Sequence, residues 1–209
     1  MSLERIITES VLAAALVLGM SAGLVCAEEA AKGTLDNLQA AYNGESNAAA
    51  RNAAFAEKAE QEGYKGVASL FRAAAKSEEI HARNYAATIK KAGAEPKADI
   101  TKAAVQSTKE NLETALKGES QESETMYPAF AKKAEEDGNA QAAMNFRAAT
   151  AAETQHAKYY KEALGNLDGW KAPGPGYLVC NVCGFTTADL KLKQCPVCAV
   201  PRSKILLVK

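Results

Sequence analysis

Histidine, tryptophan and proline are scarce in this chain. Its 209 residues include two histidines, one tryptophan, six prolines and five cysteines, and aromatic residues make up 6%. The low proline and aromatic content, together with abundant alanine, favours long helices and disfavours a β-sandwich or barrel. Lysine plus arginine total 25 and aspartate plus glutamate total 25, so the formal net charge is zero. That balance argues against a nucleic-acid binder that works through a generally basic surface.

The N-terminal residues differ in composition from the rest. Residues 11–25 form an uncharged, mostly apolar run, shorter than the about 20 residues of a typical transmembrane helix. Small residues follow at Cys26 and Ala27. This pattern predicts a signal peptide over 1–27, cleaved after Ala27, and hence an exported or periplasmic protein without stable membrane insertion. The alternatives are an uncleaved N-terminal membrane anchor, a lipoprotein with a poor modification motif, or a cytoplasmic protein.

Residues 34–160 contain two copies of one unit. The segment 34–46 matches 108–120 at an offset of 74, whereas 54–60 matches 129–135 at an offset of 75. Each copy has two helical runs split by a short turn, with apolar and small residues at three- and four-residue steps. Two such hairpins predict an all-α four-helix bundle, because each hairpin alone would expose its apolar stripe.

The change of offset means that the second copy carries one extra residue between Ser120 and Ala129. An extra residue within a helix is usually absorbed as a π-bulge, so we predict one shortly after Glu119. The link between the copies, about 93–102, is short for a crossover along a long bundle. Exchange of hairpins between subunits is therefore an open alternative.

Both histidines occur in the pattern Glu-x-x-His, once in each copy. Residues three apart share one helix face, so both side chains can bind one metal ion. The other run of each copy supplies a carboxylate within a repeated Gly-Glu-Ser, and such a set on four helices predicts a di-iron site. The predicted ligands are Glu45, Glu78, His81, Glu119, Glu153 and His156. Glu122 adds a seventh in the second copy, whereas Ala48 occupies the matching place in the first.

A second metal site is predicted near the C-terminus. A Gly- and Pro-rich linker, 167–176, separates the bundle, predicted over 28–166, from a small unit over 177–209. Two Cys-x-x-Cys pairs separated by eleven residues predict a four-sulfur site. Its ligands are Cys180, Cys183, Cys195 and Cys198. The spacing suits zinc and iron about equally, and two disulfides are a less favoured alternative; the accompanying di-iron site favours iron.

These motifs resemble the rubrerythrin family along nearly all of 34–209. The matching motifs are Gly44-Glu45-Ser46, Glu78-x-x-His81, Gly118-Glu119-x-x-Glu122, Met126-Tyr127-Pro128, Glu153-x-x-His156 and the two cysteine pairs. The resemblance implies a ferritin-like bundle joined to a small β-type rubredoxin-like domain, in which four cysteines hold one iron. It also implies that Glu78 and Glu153 bridge two non-haem irons, while the other carboxylates and the histidines are terminal ligands.

The resemblance also assigns roles around the site. In the family one iron is thought to exchange a histidine for a glutamate on oxidation, and the corresponding residues here are His81 and Glu122. Tyr127 matches a family tyrosine and is included among the catalytic residues. Asn52 stands at the matching place in the first copy, where the family often has tyrosine. That position therefore lacks the tyrosine hydroxyl that could hydrogen-bond to a ligand.

The activity that the resemblance implies is a peroxidase that protects against oxidative stress. Hydrogen peroxide would be reduced to water at the di-iron site, with electrons supplied through the four-cysteine iron. In the family this transfer runs between subunits, which implies a homodimer or a larger homo-oligomer. The redox donor protein is not identified by any motif. The alternatives are a ferroxidase that sequesters iron and a zinc-loaded, non-redox binding module.

Overall fold

The computed structural model describes the backbone of residues 21–209 and the side chains of residues 33–209. Residues 1–20 of the predicted signal peptide lie outside this description. Its predicted cleavage after Ala27 stays a prediction. Among the described helices, none is both long enough and apolar enough to cross a membrane.

The bundle consists of four helical rods. Three rods are single helices, and the third in chain order is made of two helices joined by a π-helical turn. The helices are α1 (Ser21–Gln61), α2 (Lys65–Lys91), α3 (Thr108–Gln121), α4 (Tyr127–Glu136) and α5 (Ala140–Gly165). A π-helical turn, Glu122–Met126, joins α3 to α4 and confirms the predicted bulge. It absorbs the extra residue of the second copy without ending the rod. The predicted bundle of two helical hairpins is thereby confirmed, with α1 against α2 and α3–α4 against α5.

The internal repeat is visible in the turns and in the core. Gly63 and Gly138, which are 75 residues apart, each take a left-handed φ in the turn of their hairpin, +83° and +71°. Phe55 packs edge-on against Phe71 with ring centroids 5.4 Å apart. Their counterparts at positions 130 and 146 form the same edge-on pair at 5.4 Å. The two hairpins therefore build their cores with the same aromatic contact, and alanines fill the space between the rods.

The connection between the hairpins spans 92–107 and is longer than the predicted 93–102, because α3 begins only at Thr108. The start of α3 is set by a capping box: Ser107 accepts a hydrogen bond from the Glu110 backbone, and the Glu110 carboxylate accepts one from the Ser107 backbone. The segment before it is extended. This extra length is enough for the crossover to join the two hairpins within one chain, as in this structure. Exchange of hairpins between subunits stays an open alternative.

Three amide side chains on α1 hold the crossover in place. Gln39, Asn43 and Asn47 hydrogen-bond to the backbone of residues 95–101 at distances from 2.7 to 3.1 Å. Four residues along a helix advance about 6 Å, and two residues along an extended chain advance about 6.6 Å. Amides spaced four apart can therefore each meet every second residue of an extended segment, and the link runs along α1.

The C-terminal unit is a small antiparallel sheet. Its strands are β1 (Tyr177–Cys180), β2 (Thr186–Thr187) and β3 (Ile205–Val208), in the order β2-β1-β3. A 3-10 turn, Leu167–Trp170, lies between α5 and β1. The sheet packs against α2 and α5 of the same chain. This packing brings the predicted four-cysteine site close to the middle of the bundle.

Candidate metal centres

Six buried carboxylates and imidazoles converge in the middle of the bundle. They are Glu45, Glu78, His81, Glu119, Glu153 and His156, each no more than 3% exposed. They form two overlapping groups, and within each the ligand atoms lie within 4.8 Å of one another. Glu78 and Glu153 belong to both groups, whereas each of the other four belongs to one. The structure thus presents a buried di-metal site in which the two shared carboxylates are placed to bridge.

The shared carboxylates divide their oxygens between the two histidines. Glu78 places Oε2 3.1 Å from His81 Nδ1 and Oε1 3.3 Å from His156 Nδ1. Glu153 places Oε1 3.0 Å from His81 Nδ1 and Oε2 2.7 Å from His156 Nδ1. Each histidine therefore directs Nδ1 into the site and faces one oxygen of each shared carboxylate. This near-twofold arrangement follows from the internal repeat.

The two unshared carboxylates lie at opposite ends of the site. Glu45 Oε1 is 3.6 Å from His81 Nδ1, and Glu119 Oε2 is 3.7 Å from His156 Nδ1. Each group thus contains one terminal carboxylate and one imidazole in addition to the shared pair. This is the division that the resemblance implies for terminal and bridging ligands.

Burial and mutual charge perturb the ionisation of this cluster. Burial, followed by repulsion from neighbouring carboxylates, raises the pKa of Glu45 and of Glu119 well above the ordinary value. Burial alone would also raise the pKa of Glu78, but the two imidazoles outweigh it and lower that pKa. Burial would lower the pKa of His81 and of His156, but the surrounding carboxylates raise both. Bound cations would compensate the same negative charge that now favours protonated histidines.

Several atoms of the cluster lack a hydrogen-bond partner of normal geometry among the described residues. They are Glu78 Oε1, Glu119 Oε2, both Glu153 carboxylate oxygens and His156 Nδ1. Buried polar atoms are nearly always paired, so unpaired atoms grouped around one centre indicate a ligand. Carboxylate oxygen and imidazole nitrogen are the donors of di-iron bundle sites. The residues present therefore fit a pair of iron ions.

Glu122 lies beside this cluster and belongs to neither group. It is half-buried in the π-helical turn. Burial, followed by repulsion from Glu153 and Glu78, raises its pKa to about 8. The structure therefore places His81, rather than Glu122, within the ligand group. The role of Glu122 as an alternative ligand stays a prediction.

The two copies differ in how they support their terminal carboxylates. The Tyr127 hydroxyl donates a hydrogen bond to Glu45, and both residues are buried. Asn52, at the matching position of the first copy, is fully buried, and its amide contacts no hydrogen-bond partner among the described residues. Within that part of the chain, Glu119 therefore receives no counterpart of the bond that Glu45 receives from Tyr127.

The four C-terminal cysteines form the second centre. They are Cys180, Cys183, Cys195 and Cys198; none is in a disulfide, and their sulfurs lie within 4.8 Å of one another. Each Cys-x-x-Cys turn is called a knuckle below. Between the two knuckles, the Sγ atoms of Cys180 and Cys198 lie 3.6 Å apart, and those of Cys183 and Cys195 lie 3.5 Å apart. These distances approach the edge of about 3.8 Å in a tetrahedron with metal–sulfur bonds of about 2.3 Å. Gly184 and Ala199, which follow the second cysteine of each knuckle, take left-handed φ values of +82° and +58°. The geometry supports the four-sulfur metal site and not the disulfide alternative.

The di-metal site and the four-cysteine site are in direct contact. The Cys183 carbonyl oxygen lies 3.2 Å from His81 Nε2. This imidazole therefore contacts the first cysteine knuckle on one edge and the carboxylates on the other. The Ser77 hydroxyl donates to the Gly184 carbonyl at 2.8 Å. Thr186 Oγ1 lies 3.1 Å from His156 Nε2. Ser77, Gly184 and Thr186 form contacts that sequence reasoning did not find, because only the docking of the two units brings them together.

The family follows from these motifs and from comparison. The rubrerythrin family model matches residues 36–164. The chain belongs to the rubrerythrin family. The expected resemblance is thereby confirmed, and so is the expected ferritin-like bundle with a small C-terminal sheet.

Individual relatives cover most of the chain. Nigerythrin of Nitratidesulfovibrio vulgaris is 36% identical over 171 residues, which are 81% of this chain and 83% of nigerythrin. Rubrerythrin-2 of Clostridium acetobutylicum is 36% identical over 174 residues, 82% of this chain and 94% of that protein. A structure of nigerythrin in its fully reduced, all-ferrous state superposes with a TM-score of 0.74 at 35% identity, covering 83% of this chain and 86% of that one. The match therefore extends beyond the bundle.

Proposed function

We propose that this rubrerythrin-family chain is a non-haem di-iron peroxidase that reduces hydrogen peroxide to water. The reaction consumes two electrons and two protons for each peroxide, and both oxygens leave as water. Two irons in the carboxylate–histidine site would supply the electron pair, and an iron held by the four cysteines would return electrons singly. The contact between His81 Nε2 and the Cys183 carbonyl, at 3.2 Å, is the observation that supports this proposal most directly.

The protein's own groups account for the arrangement of the site. Glu78 and Glu153 hold the two metal positions together, because each presents one oxygen to each side. Tyr127 orients Glu45 through its hydrogen bond. The C-terminal unit covers the Nε2 edges of both histidines and restricts the approach of water there. A buried site of this kind limits unwanted release of partly reduced oxygen species.

In this structure the two centres lie next to each other within one chain, and the route of electron transfer stays a prediction. The family resemblance implies transfer between subunits, whereas here the knuckle packs on the bundle of its own chain. A single chain therefore brings the two centres together. The expected homodimer or larger assembly stays a prediction, as do export of the protein and a separate redox donor. Sedimentation analysis tests the assembly, and N-terminal sequencing of the protein from its native host tests the export.

Stopped-flow spectroscopy of the iron-loaded, fully reduced protein tests the peroxidase proposal. A single addition of peroxide should oxidise the di-iron site first and the four-cysteine iron second, and the second phase should appear as the visible colour of the ferric four-cysteine centre. Cys180→Ser serves as the matched variant, since it should abolish the second phase and leave the first.

Other outcomes would overturn the proposal. If peroxide oxidises neither centre, the chain is not a peroxidase. If oxygen instead drives repeated ferrous oxidation with mineral accumulation, the ferroxidase alternative stands. A colourless protein that retains only zinc when isolated from its native compartment would support the non-redox alternative.

A further inference from the structure

The two histidines use their ring nitrogens in the same way but are held by different groups. Each directs Nδ1 towards the carboxylates and Nε2 towards the C-terminal unit. His81 meets a backbone carbonyl, that of Cys183, at 3.2 Å. His156 instead meets a side chain, the hydroxyl of Thr186, at 3.1 Å. Any residue can supply a carbonyl, whereas only particular side chains can supply a hydroxyl.

The direction of the Thr186 hydrogen bond follows from its surroundings. Its hydroxyl donates to the Gly184 carbonyl, with an oxygen–oxygen distance of 3.1 Å. A hydroxyl has one proton to donate and two lone pairs that accept. Because the proton is directed to Gly184, the contact with His156 requires that Nε2–H donates to Thr186 Oγ1. The Ser77 hydroxyl donates to the same Gly184 carbonyl at 2.8 Å and fixes it against the bundle.

We propose that Thr186 is a positioning residue for His156. By accepting the Nε2 proton, it keeps Nδ1 free of a proton and directed at the metal position shared with Glu78, Glu119 and Glu153. A group that accepts a hydrogen bond from a ligating imidazole sets its tautomer and its orientation. The C-terminal unit thus orients a ligand of the di-metal site in addition to carrying the four-cysteine centre. It does so at one metal position, through the Thr186 side chain.

Burial makes this hydroxyl consequential. Thr186 and His156 are both fully buried. If the hydroxyl were removed, the Nε2 proton would be left without a partner in a site closed to water, which is unfavourable. The imidazole would also be free to rotate or to change tautomer. We therefore expect the metal position on the His156 side to weaken by about 10- to 100-fold, while the His81 side is unchanged.

The test uses zinc, which is diamagnetic and binds carboxylate and imidazole ligands. Because the chain has only two histidines, ¹⁵N-histidine labelling yields one set of ring signals for each position. The variants are Thr186→Val, which has nearly the same shape without the hydroxyl, and Thr186→Ser, which restores the hydroxyl. Thr187→Val is the control on the same strand, since successive side chains of a strand point to opposite faces.

In the zinc-loaded protein we expect both histidines to carry a proton on Nε2. In Thr186→Val the Nε2–H signal of His156 should shift and exchange faster with water, that of His81 should not, and chelator competition should show one zinc bound about 10- to 100-fold more weakly. Thr186→Ser should restore wild-type behaviour, and Thr187→Val should leave it unchanged.

Two results would overturn the inference. One is a Thr186→Val protein whose His156 signal and zinc affinity match the wild type. The other is a Thr186→Ser protein that is as impaired as Thr186→Val, which would assign the effect to packing of the methyl group. The inference rests on the proposed function only in taking metal to be bound at this site. Since neither measurement involves iron or peroxide, failure of the peroxidase proposal would be seen separately.

Discussion

Gly184 packs against the imidazole of His81 so closely that a methyl group at position 184 would overlap the ring. The same glycine takes a left-handed φ of +82°, which a side chain would also disfavour. Its carbonyl accepts hydrogen bonds from Ser77 and Thr186. The absence of a side chain at Gly184 therefore permits both the turn of the cysteine knuckle and its close approach to His81 of the di-metal site.

We expect Gly184→Ala to separate the knuckle from the bundle. The rate at which the reduced four-cysteine iron re-reduces the peroxide-oxidised di-iron site should fall by about tenfold or more, since small displacements at a reacting centre have large kinetic effects. Ala199→Gly is the matched control, because Ala199 occupies the corresponding turn of the other knuckle with φ of +58°. An unchanged rate in Gly184→Ala, with both iron spectra intact, would contradict the importance of this contact.

Tyr127→Phe removes the hydroxyl that donates to Glu45. Loss of a partner that orients a metal ligand should weaken metal binding on that side by about tenfold, measured by chelator competition. Tyr85→Phe is the control: Tyr85 is equally buried and its ring lies 6.2 Å from that of Tyr127, but its hydroxyl has no hydrogen-bond partner among the described residues. Equal effects of the two substitutions would show that the Tyr127–Glu45 bond contributes nothing specific.

Asn52→Leu should stabilise the metal-free protein. The Asn52 amide is fully buried and unpaired within the described part of the chain. Leucine has the same branched skeleton of four heavy atoms but no polar atom, so it removes that unfavourable burial. We expect the free energy of unfolding in urea to rise by about 1 kcal/mol. Asn145→Leu should lower it by a similar amount, because that buried amide donates to Thr88 at 2.9 Å. A decrease in Asn52→Leu would show that the amide is satisfied in solution.

Glu62 links the first hairpin to the start of α3. Its carboxylate accepts hydrogen bonds from the Thr108 backbone at 2.8 Å and from the Thr108 hydroxyl at 2.6 Å. The Thr108 hydroxyl, followed by Lys58, lowers the pKa of Glu62 to about 2. Because the folded pKa is depressed, the stabilisation is present above the ordinary pKa of about 4.5 and is lost as the pH falls towards 2.

Glu62→Gln should therefore reduce the free energy of unfolding by about 1 kcal/mol at pH 7. The difference between variant and wild type should shrink as the pH falls from 4.5 towards 2, as measured by urea unfolding at each pH. Glu57→Gln, at an exposed position of α1, is the control and should change little at either pH. A constant difference across this range would argue against a charged Glu62 at the start of α3.

Much of the site could be predicted because it depends on local spacing. The Glu-x-x-His pairs lie on one helix face by periodicity alone, and the one-residue change in the repeat predicts the π-helical turn found at Glu122–Met126. The Cys-x-x-Cys pairs likewise define a four-sulfur cluster. Internal repetition then predicts that the two halves face each other around a shared centre.

Other features could not be predicted from spacing. The length of the crossover depended on the Ser107–Glu110 capping box and on the amides of α1 that hold the extended chain. The position of Glu122 outside both ligand groups depends on how the π-helical turn packs. The unpaired Asn52 amide becomes evident only once its surroundings are known.

The sequence by itself determined the helical repeat, the ligand types and the two metal centres, because periodicity and residue spacing are properties of neighbouring residues. Only the tertiary structure decided that the cysteine knuckle rests on the histidines of its own chain, through Cys183 to His81 and through Thr186 to His156. Those contacts join segments separated by 102 and 30 residues. They depend on the shapes of two packed surfaces, which no local pattern encodes.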